Sequence, residues 1–483
     1  MVMLAAKLIL AASMAVPLSA QSASQTTSED LAAHAQRAHD AEQQGDFSTA
    51  VREYEYLAHQ LPPSAELQSN LGVALYFNHQ WERSIAVLHK AIALNANLLA
   101  PHLFSGLASY QLSKPDAAVP ELETAVRLRS SDVIARTWLG YAYVAQARYD
   151  AAAKQFDEVT HLAPDNIDAW YALGQAWLEI GRQRTLALLK AAPNGARAWQ
   201  LAGEQLQLEG NRVKALTDFE QANARRPDIP ELRTAVEDLG GKPATAAVTN
   251  KTADSSEDTL YVQAHEAEQK SRAAFEHVLS AAPESYRAHQ IMADSFVVQQ
   301  QDDKAIAEYR AVLALKPDLP GIHEAIGSAL LRSGKSAEAL TEFQAELQLQ
   351  PRSASVHTLL GQTQLLLGKN DEAEKTLRSA LLMDRPPADA WRLLGKLELH
   401  RSNYQAAAHD LTHYLSVETN DATAWYLLSR AYRGLGDKEQ MNRALSQFAK
   451  ISEDAKARSK AQDELAHLDN QNHVDEKRGQ SNP

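Results

Sequence analysis

The segment WLGYAYVAQARYDAAAKQFDEVTHLAP, residues 138–164, contains two short helical faces separated by the polar residues 148–150. The small and apolar residues of these faces are Leu139, Gly140 and Tyr143 in the first, and Ala152, Phe156 and Val159 in the second. Residues three or four apart lie on the same side of a helix. Pro164 ends the second helix because it lacks a backbone N–H and clashes with the preceding turn. The segment therefore predicts a helical hairpin.

The same pattern recurs every 34 residues, which is the strongest feature of the chain. Small residues of the first helix keep this step at Gly72, Gly106, Gly140 and Gly174, and again at Ala293, Gly327, Gly361, Gly395 and Ser429. Small residues of the second helix keep it at Ala50, Ser84, Ala118 and Ala152, and again at Ala305, Ala339, Ala373 and Ala407. We expect the first set to be small because the partner helix crosses there. No long run alternates apolar with polar residues, so the sequence predicts an all-α fold.

A single hairpin is too small to fold alone, which explains why the units come in arrays. Ordering 34 residues costs on the order of 50 kcal/mol, at about 1.5 kcal/mol for each residue. Neighbouring hairpins that stack bury a continuous core and share this cost.

Two units carry the repeat pattern in its fullest form. One contains Trp170, Leu173-Gly174 and Trp177, and another contains His323, Ile326-Gly327, Ala339, Phe343 and Pro351. These residues resemble the tetratricopeptide repeat (TPR) family from about residue 29 to 453. The resemblance implies a right-handed α-solenoid of about twelve 34-residue helix-turn-helix repeats. It also implies that ligands lie on the concave face formed by the first helices.

The period breaks twice, at places 90 residues apart. Gly174 lies 19 residues before Pro193, whereas Gly140 lies 24 residues before Pro164, and Ala264 again lies 19 residues before a proline. The segment APNGARAWQLAGE, residues 192–204, also aligns with APESYRAHQIMAD, residues 282–294. We infer a duplicated segment whose first repeat has lost five residues. The shortened units are expected to lose most of the turn between their helices, either bending the superhelix or forming a tight turn.

Residues 240–258 are rich in Ala, Thr, Ser and Lys and are predicted to be a flexible linker. They divide the chain into an N-terminal array, residues 29–239, and a C-terminal array, residues 259–453. The alternative is one continuous solenoid with a looped-out insertion, which the shared deletion favours. Residues 454–470 are predicted to form a capping helix, and residues 471–483 to be disordered.

The N-terminus predicts export. Residues 1–22 combine Lys7, a short apolar core and small residues near Ala20, as in a secretory signal; the alternative is an uncleaved anchor. No later stretch has the length of a transmembrane helix, so we expect no stable membrane insertion after cleavage. The chain contains no cysteine, and its net charge of −13 disfavours nucleic-acid binding.

Catalytic motifs are not found. His409 and His413 have the i, i+4 spacing of a metal site, but Asp410 replaces the glutamate of a zinc protease motif and no third ligand is evident. We therefore predict no enzyme activity, no cofactor and no metal.

A binding role is better supported. The TPR register places the following residues at the groove or its edge: Tyr76, Phe77, Tyr110, Tyr141, Tyr171, Gln175, Arg197 and Gln200 in the first array, and Arg287, Gln290, Arg392, Lys396, Tyr426, Arg430 and Arg433 in the second. Tyr and Arg dominate binding hot spots, although aromatic residues at this spacing also serve as packing residues.

The sequence predicts a scaffold that binds proteins or extended peptides in the periplasm or outside the cell. The alternatives are an accessory subunit of an enzyme complex, for example in glycosyl transfer or polysaccharide export, and a purely architectural array. The identity of the partner and the oligomeric state are left open.

Overall fold

A computed structural model of the protein describes residues 25–244, 255–383 and 386–453. All the regular secondary structure in these ranges is helical, and they contain no strand. The all-α fold class predicted by the 34-residue period is therefore confirmed.

The helices follow one another with short connections. The first twelve are α1 Gln25–Gln44, α2 Phe47–Gln60, α3 Ala65–Phe77, α4 Trp81–Leu94, α5 Leu99–Gln111, α6 Pro115–Leu128, α7 Val133–Ala145, α8 Tyr149–Leu162, α9 Ile167–Ala191, α10 Ala196–Leu208, α11 Arg212–Arg225 and α12 Pro230–Asp238. The others are α13 Ser255–Ala281, α14 Tyr286–Val298, α15 Asp302–Leu315, α16 Ile322–Arg332, α17 Ser336–Leu349, α18 Ala354–Leu366, α19 Asn370–Leu381, α20 Ala388–His400, α21 Tyr404–Val417 and α22 Ala422–Leu435. Residues 438–453 are also helical.

The small residue of each first helix marks the point where the second helix crosses it. A Cβ atom added to Gly140 would lie 2.5 Å from the ring of Phe156, sixteen residues later. The same addition at Gly327 would lie 2.7 Å from Phe343. Both rings are fully buried, so they cannot move aside. The small residue is thus required by packing, as the sequence predicted.

A residue with positive φ closes the turn inside each hairpin. It lies seven residues after the small residue, as at Ser113 and Ala147, with φ of 59° and 56°. Glycine takes the same position at Gly334, with φ of 73°. This left-handed conformation reverses the chain, and for residues other than glycine it costs about 1 kcal/mol.

In each of four hairpins, a histidine on the first helix contacts a glutamate nineteen residues later on the second helix. In every case the imidazole Nδ1 lies at hydrogen-bond distance from the carboxylate. The pairs are His34–Glu53 at 2.5 Å, His102–Glu121 at 2.6 Å, His289–Glu308 at 2.7 Å and His323–Glu342 at 2.6 Å. Because each pair is part-buried, it fixes the register of the second helix on the first.

The two shortened repeats contain no turn at all. The first is the single helix α9, 25 residues long, and the second is the single helix α13, 27 residues long. Gly181 occupies the position that closes the turn elsewhere, but here it lies inside α9. The predicted tight turn is therefore wrong: the deletion fuses the two helices of the hairpin. The bend of the superhelix stays a prediction.

The chain divides into two compact units. Unit 1 contains α1–α9 with α13, and unit 2 contains α10–α12 with α14–α22 and residues 438–453. This grouping assigns α13 to unit 1, whereas the sequence analysis placed residues 259–453 together. The predicted arrays stay a proposal for the domain organisation.

Several sequence predictions lie outside the described residues. They concern the signal sequence at residues 1–22, most of the linker, the capping helix at residues 454–470 and the tail at residues 471–483. Within the described ranges, none of the helices combines the length and the apolar character needed to cross a membrane.

Candidate binding surface

The first helices of consecutive hairpins lie side by side and form the candidate surface. In unit 1, α5 contacts both α3 and α7. In unit 2, the same contacts run from α16 through α18 and α20 to α22. Each unit thus presents a row of first helices. Nine of the fifteen predicted groove residues lie on these rows, whereas Tyr171, Gln175, Arg197, Gln200, Arg287 and Gln290 lie on α9, α10 and α14.

In unit 1 an aromatic cluster covers α3 and α5. Phe77 stacks on Phe47, with ring centroids 4.8 Å apart, and meets Phe104 edge-on at 5.5 Å. Tyr76 also contacts Phe104, at 5.3 Å, but only 5% of its surface is exposed. Burial raises the pKa of Tyr76 and of Tyr110, so both hydroxyls stay protonated. Tyr76 is therefore buried beneath the candidate surface, whereas Phe77 is half-buried and forms part of it.

Further along unit 1, the predicted tyrosines pack on residues of their own and of neighbouring helices. Tyr110 and Tyr141 both meet Trp138 edge-on, with centroids 5.3 and 5.8 Å away. Tyr171 lies 5.9 Å from the ring of Phe275 and accepts a hydrogen bond of 2.9 Å from Gln175 Nε2. These side chains are half-buried, so each has both packing contacts and an accessible edge.

Two arginine–glutamine pairs repeat across the duplicated segment. Arg197 Nη1 donates to Gln200 Oε1 at 2.7 Å, and Arg287 Nη1 donates to Gln290 Oε1 at the same distance. The first pair is buried and the second is half-buried. Both pairs lie in unit 2, although the sequence assigned the first to the N-terminal array. The two segments inferred to be duplicated thus share a side-chain contact as well as the helix pattern.

The face of α20 and α22 is the most accessible part of the predicted surface. Lys396, Arg430 and Arg433 are exposed there, and Tyr426 is 44% exposed. Arg392, the fourth cation predicted on this face, is half-buried. Its guanidinium lies 2.7 Å from the Asp389 carboxylate. Helix α22 contains no acidic residue. The face therefore has an excess of positive charge, although the whole chain carries −13.

The sequence analysis missed three aromatic residues that build the unit 1 surface. Phe104 and Trp138 each lie two residues before the small residue of a first helix, and Phe47 begins α2. Phe104 and Trp138 occupy the same position in two successive repeats, so the 34-residue period could have identified both. Phe47 lies on a second helix, whereas the TPR register assigns groove positions to first helices.

His409 and His413 lie close together on α21, with ring centroids 4.7 Å apart. His413 stacks on Trp391, and His409 Nδ1 lies 2.9 Å from Asp410 Oδ1. Across the described ranges, no three His, Asp or Glu side chains are arranged to hold a metal ion.

Comparison with known proteins agrees with this geometry. Family models described as tetratricopeptide repeat match residues 36–98, 105–167, 139–183, 330–397 and 422–454, and a model described as TPR repeat matches residues 293–334. Together these matches cover more than half of the chain. No curated protein matches it.

Several solved structures match parts of the chain at low identity. MamA protein is 19% identical, with a TM-score of 0.33, over 35% of this chain and 93% of its own. A thermophilic TPR protein of Thermus thermophilus is 15% identical, with a TM-score of 0.35, over 56% of this chain and 100% of its own. Pseudomonas aeruginosa pilF is 21% identical, with a TM-score of 0.36, over 40% of this chain and 86% of its own.

The hairpins, the crossing of each second helix at a small residue and the family matches lead to one conclusion: the chain belongs to the tetratricopeptide repeat family.

Proposed function

We propose that the protein is a non-enzymatic scaffold that binds protein partners through its rows of first helices, and that the α20–α22 face binds an extended acidic segment of a partner. The proposal rests on one observation: Lys396, Arg430 and Arg433 are exposed on adjoining helices, and Tyr426 lies on the same face.

The chemistry of this face favours an acidic ligand. A guanidinium can form two parallel hydrogen bonds with a carboxylate, which gives both attraction and orientation. Tyr426 adds an aromatic surface that loses little side-chain entropy on binding. Because α22 has no acidic residue of its own, a bound carboxylate meets little repulsion from that helix.

The test measures the affinity of a fluorescent, extended peptide rich in Glu and Asp for the full chain and for the double variant Arg430→Ala/Arg433→Ala. Each exposed charge pair contributes up to about 1 kcal/mol, so we expect the double variant to bind roughly tenfold more weakly at low salt. Added salt should narrow this difference because it screens exposed charges.

The matched control is Arg352→Ala/Lys375→Ala, which removes the same charge from residues that are exposed elsewhere in unit 2. It should leave the affinity nearly unchanged. Equal weakening in both double variants would show that net charge alone attracts the peptide, and the α20–α22 face would then not be the site. If the probe binds, capture of natural partners from an envelope extract can be compared between the intact chain and the Arg392→Ala/Arg430→Ala/Arg433→Ala variant.

Export is part of the same proposal. It rests on the sequence of residues 1–22, with Lys7 followed by an apolar core and small residues. N-terminal sequencing of the protein recovered from an envelope fraction should give a chain that begins between residues 21 and 24. A mature protein that retains Met1 would contradict cleavage and favour an N-terminal anchor.

A further inference from the structure

The α20–α22 face carries three cations whose charge is not compensated within the described part of the chain. None of Lys396, Arg430 and Arg433 forms an ion pair with a residue that the structure describes. By contrast, the guanidinium of Arg392, on the same face, lies 2.7 Å from the Asp389 carboxylate. An exposed face with charges of one sign attracts a segment with charges of the other sign. The face therefore suits a ligand with several carboxylates.

The chain itself contains such a segment shortly after the last described residue. Residues 463–476, DELAHLDNQNHVDE, are named here the acidic segment. They contain neither lysine nor arginine, and their five carboxylates belong to Asp463, Glu464, Asp469, Asp475 and Glu476. This charge is complementary to that of the α20–α22 face. The apolar side chains of the segment, Leu465, Leu468 and Val474, offer contacts for the ring of Tyr426, which is 44% exposed.

The last described helix, residues 438–453, brings the chain back to the start of α22. It follows α22 after the two residues 436–437, so it runs in the opposite direction. The ring of Phe448 lies against that of Tyr426, with centroids 5.7 Å apart. Glu453 is five residues beyond Phe448, whereas α22 begins four residues before Tyr426. The chain therefore leaves the described structure close to the first turn of α22.

From this point the acidic segment can reach both arginines. Residues 454–462 connect Glu453 to the segment. Nine residues span up to about 30 Å when extended, and about 14 Å as a helix that returns beside α22. Along the axis of α22, Arg430 and Arg433 lie about 12 and 17 Å from Ala422. Either conformation of the connection, including the predicted capping helix at residues 454–470, places the segment level with them.

We propose that the acidic segment of this chain occupies the α20–α22 face, so that a partner must displace it in order to bind. The inference concerns regulation of the proposed binding site, and it rests on the proposed function in requiring that this face accept carboxylates. A short tether holds the segment near the face at an effective concentration in the millimolar range, so weak contacts are enough to compete with a free ligand.

The first experiment measures the affinity of the fluorescent Glu- and Asp-rich peptide for the full chain and for the variant Asp463→Asn/Glu464→Gln/Asp469→Asn. A segment that covers the face three-quarters of the time weakens an external ligand about fourfold, so we expect the variant to bind about fourfold more tightly at low salt. With Arg430→Ala/Arg433→Ala already in place, the same three substitutions should change the affinity little, because the face no longer holds the segment.

The matched control is Glu284→Gln/Asp318→Asn/Glu338→Gln, which removes three carboxylates from exposed positions elsewhere in unit 2. It should leave the affinity nearly unchanged. An equal gain from both triple variants would show that net charge alone governs the affinity, and the inference would fail. It would also fail if the peptide bound the intact chain and the Asp463→Asn/Glu464→Gln/Asp469→Asn variant equally well.

A second experiment needs no added ligand and uses the absence of cysteine from the sequence. Nitroxide labels are attached to the variant His400→Cys/Leu468→Cys, since His400 is exposed on α20 one turn after Lys396. Double electron–electron resonance should show a population of short label-to-label distances. Adding Arg430→Ala/Arg433→Ala, or raising the salt concentration, should remove most of this population, because both weaken exposed charge pairs.

The two experiments separate this inference from the proposed function. If the distances are unchanged by Arg430→Ala/Arg433→Ala, the acidic segment does not occupy the face and the inference is overturned, whatever the peptide does. If the short distances depend on the arginines while no variant binds the peptide, the segment occupies the face as inferred, and the proposed external ligand is wrong.

Discussion

Replacement of Phe156 by alanine will lower the free energy of unfolding of unit 1 by about 3–5 kcal/mol. The ring is fully buried and lies against Gly140, where the two helices of the hairpin cross. It also meets Tyr141 edge-on, with centroids 5.3 Å apart. Removing it leaves a cavity that a close-packed hairpin cannot fill, so both the transfer free energy and the packing contacts are lost.

Urea unfolding followed by far-ultraviolet circular dichroism measures the effect. The matched control is Leu162→Ala on the same helix, because Leu162 is 43% exposed and its loss should cost less than about 1 kcal/mol. If the two substitutions lowered the free energy of unfolding equally, the packing of Phe156 against Gly140 would contribute no more to stability than an exposed leucine does. Neighbouring repeats unfold in a coupled manner. The two variants should therefore be compared under the same conditions, with the same slope of the free energy of unfolding against urea concentration.

Replacement of Glu42 by glutamine will stabilise unit 1 at pH 8 but not at pH 4. Burial between α1 and α2 raises the pKa of Glu42 from 4.5 to about 7, while its hydrogen bond with Tyr54 acts in the opposite direction. Between pH 4.5 and 7 the folded state therefore binds more protons at this group than the unfolded state. The stability that this group contributes is present in full below pH 4.5 and falls as the pH rises towards 7.

Since one pKa unit corresponds to about 1.4 kcal/mol, the gain from Glu42→Gln at pH 8 is on the order of 2–3 kcal/mol. Thermal unfolding at pH 4, 6 and 8 measures it. Glu66→Gln, at an exposed position of α3, controls for the loss of one carboxylate from the same unit. A gain that is equal at pH 4 and pH 8 would show that Glu42 is not protonated in the folded state near neutral pH.

The hairpin fold could be predicted from the sequence because each hairpin uses short-range information. A small residue at Gly140 and a ring at Phe156 lie sixteen positions apart, and the 34-residue step repeats this pair along the chain. The His–Glu pairs could have been predicted in the same manner, since His102 and Glu121 keep a spacing that recurs in three other hairpins. The repeat pattern included His323 but not its partner Glu342, so these pairs were not predicted.

Helices α9 and α13 pack on each other in unit 1. This pairing could not be predicted from any local pattern. The five-residue deletion was visible in the sequence, but it predicted a shortened turn, whereas the structure has one continuous helix in its place. Nothing near Gly174 indicates that Phe275 will fill the space beside it, because Lys190 has the expected separation and the repeat rule gives no substitute. Only the equivalence of the two shortened units offered a clue.

Glu346 shows a second limit of sequence analysis. Its fully buried carboxylate accepts hydrogen bonds from the backbone N–H groups of Gly321, at 2.8 Å, and Glu324, at 3.2 Å. It thereby satisfies the first turn of α16, which has no side-chain cap of its own. A glutamate inside an amphipathic helix is normally read as a solvent-facing residue, so this role follows only from the packed structure.

The candidate surface was predicted in outline but not in detail. The register placed Tyr426, Arg430 and Arg433 at the groove or its edge, and these three side chains are exposed. It also selected Tyr76, which is buried beneath its neighbours, because spacing defines the direction of a side chain but not what covers it. Whether these residues contact a ligand stays a prediction.

The hydrogen bond from Ser271 to Gly174 joins residues 97 positions apart, in a fold whose hairpins otherwise close within about 20 residues. During synthesis on the ribosome, the N-terminal hairpins can close soon after each emerges, since their contacts are local. Helix α9 must wait until α13 has been translated and has left the exit tunnel. Unit 1 therefore keeps an unfinished end throughout the synthesis of residues 192–254.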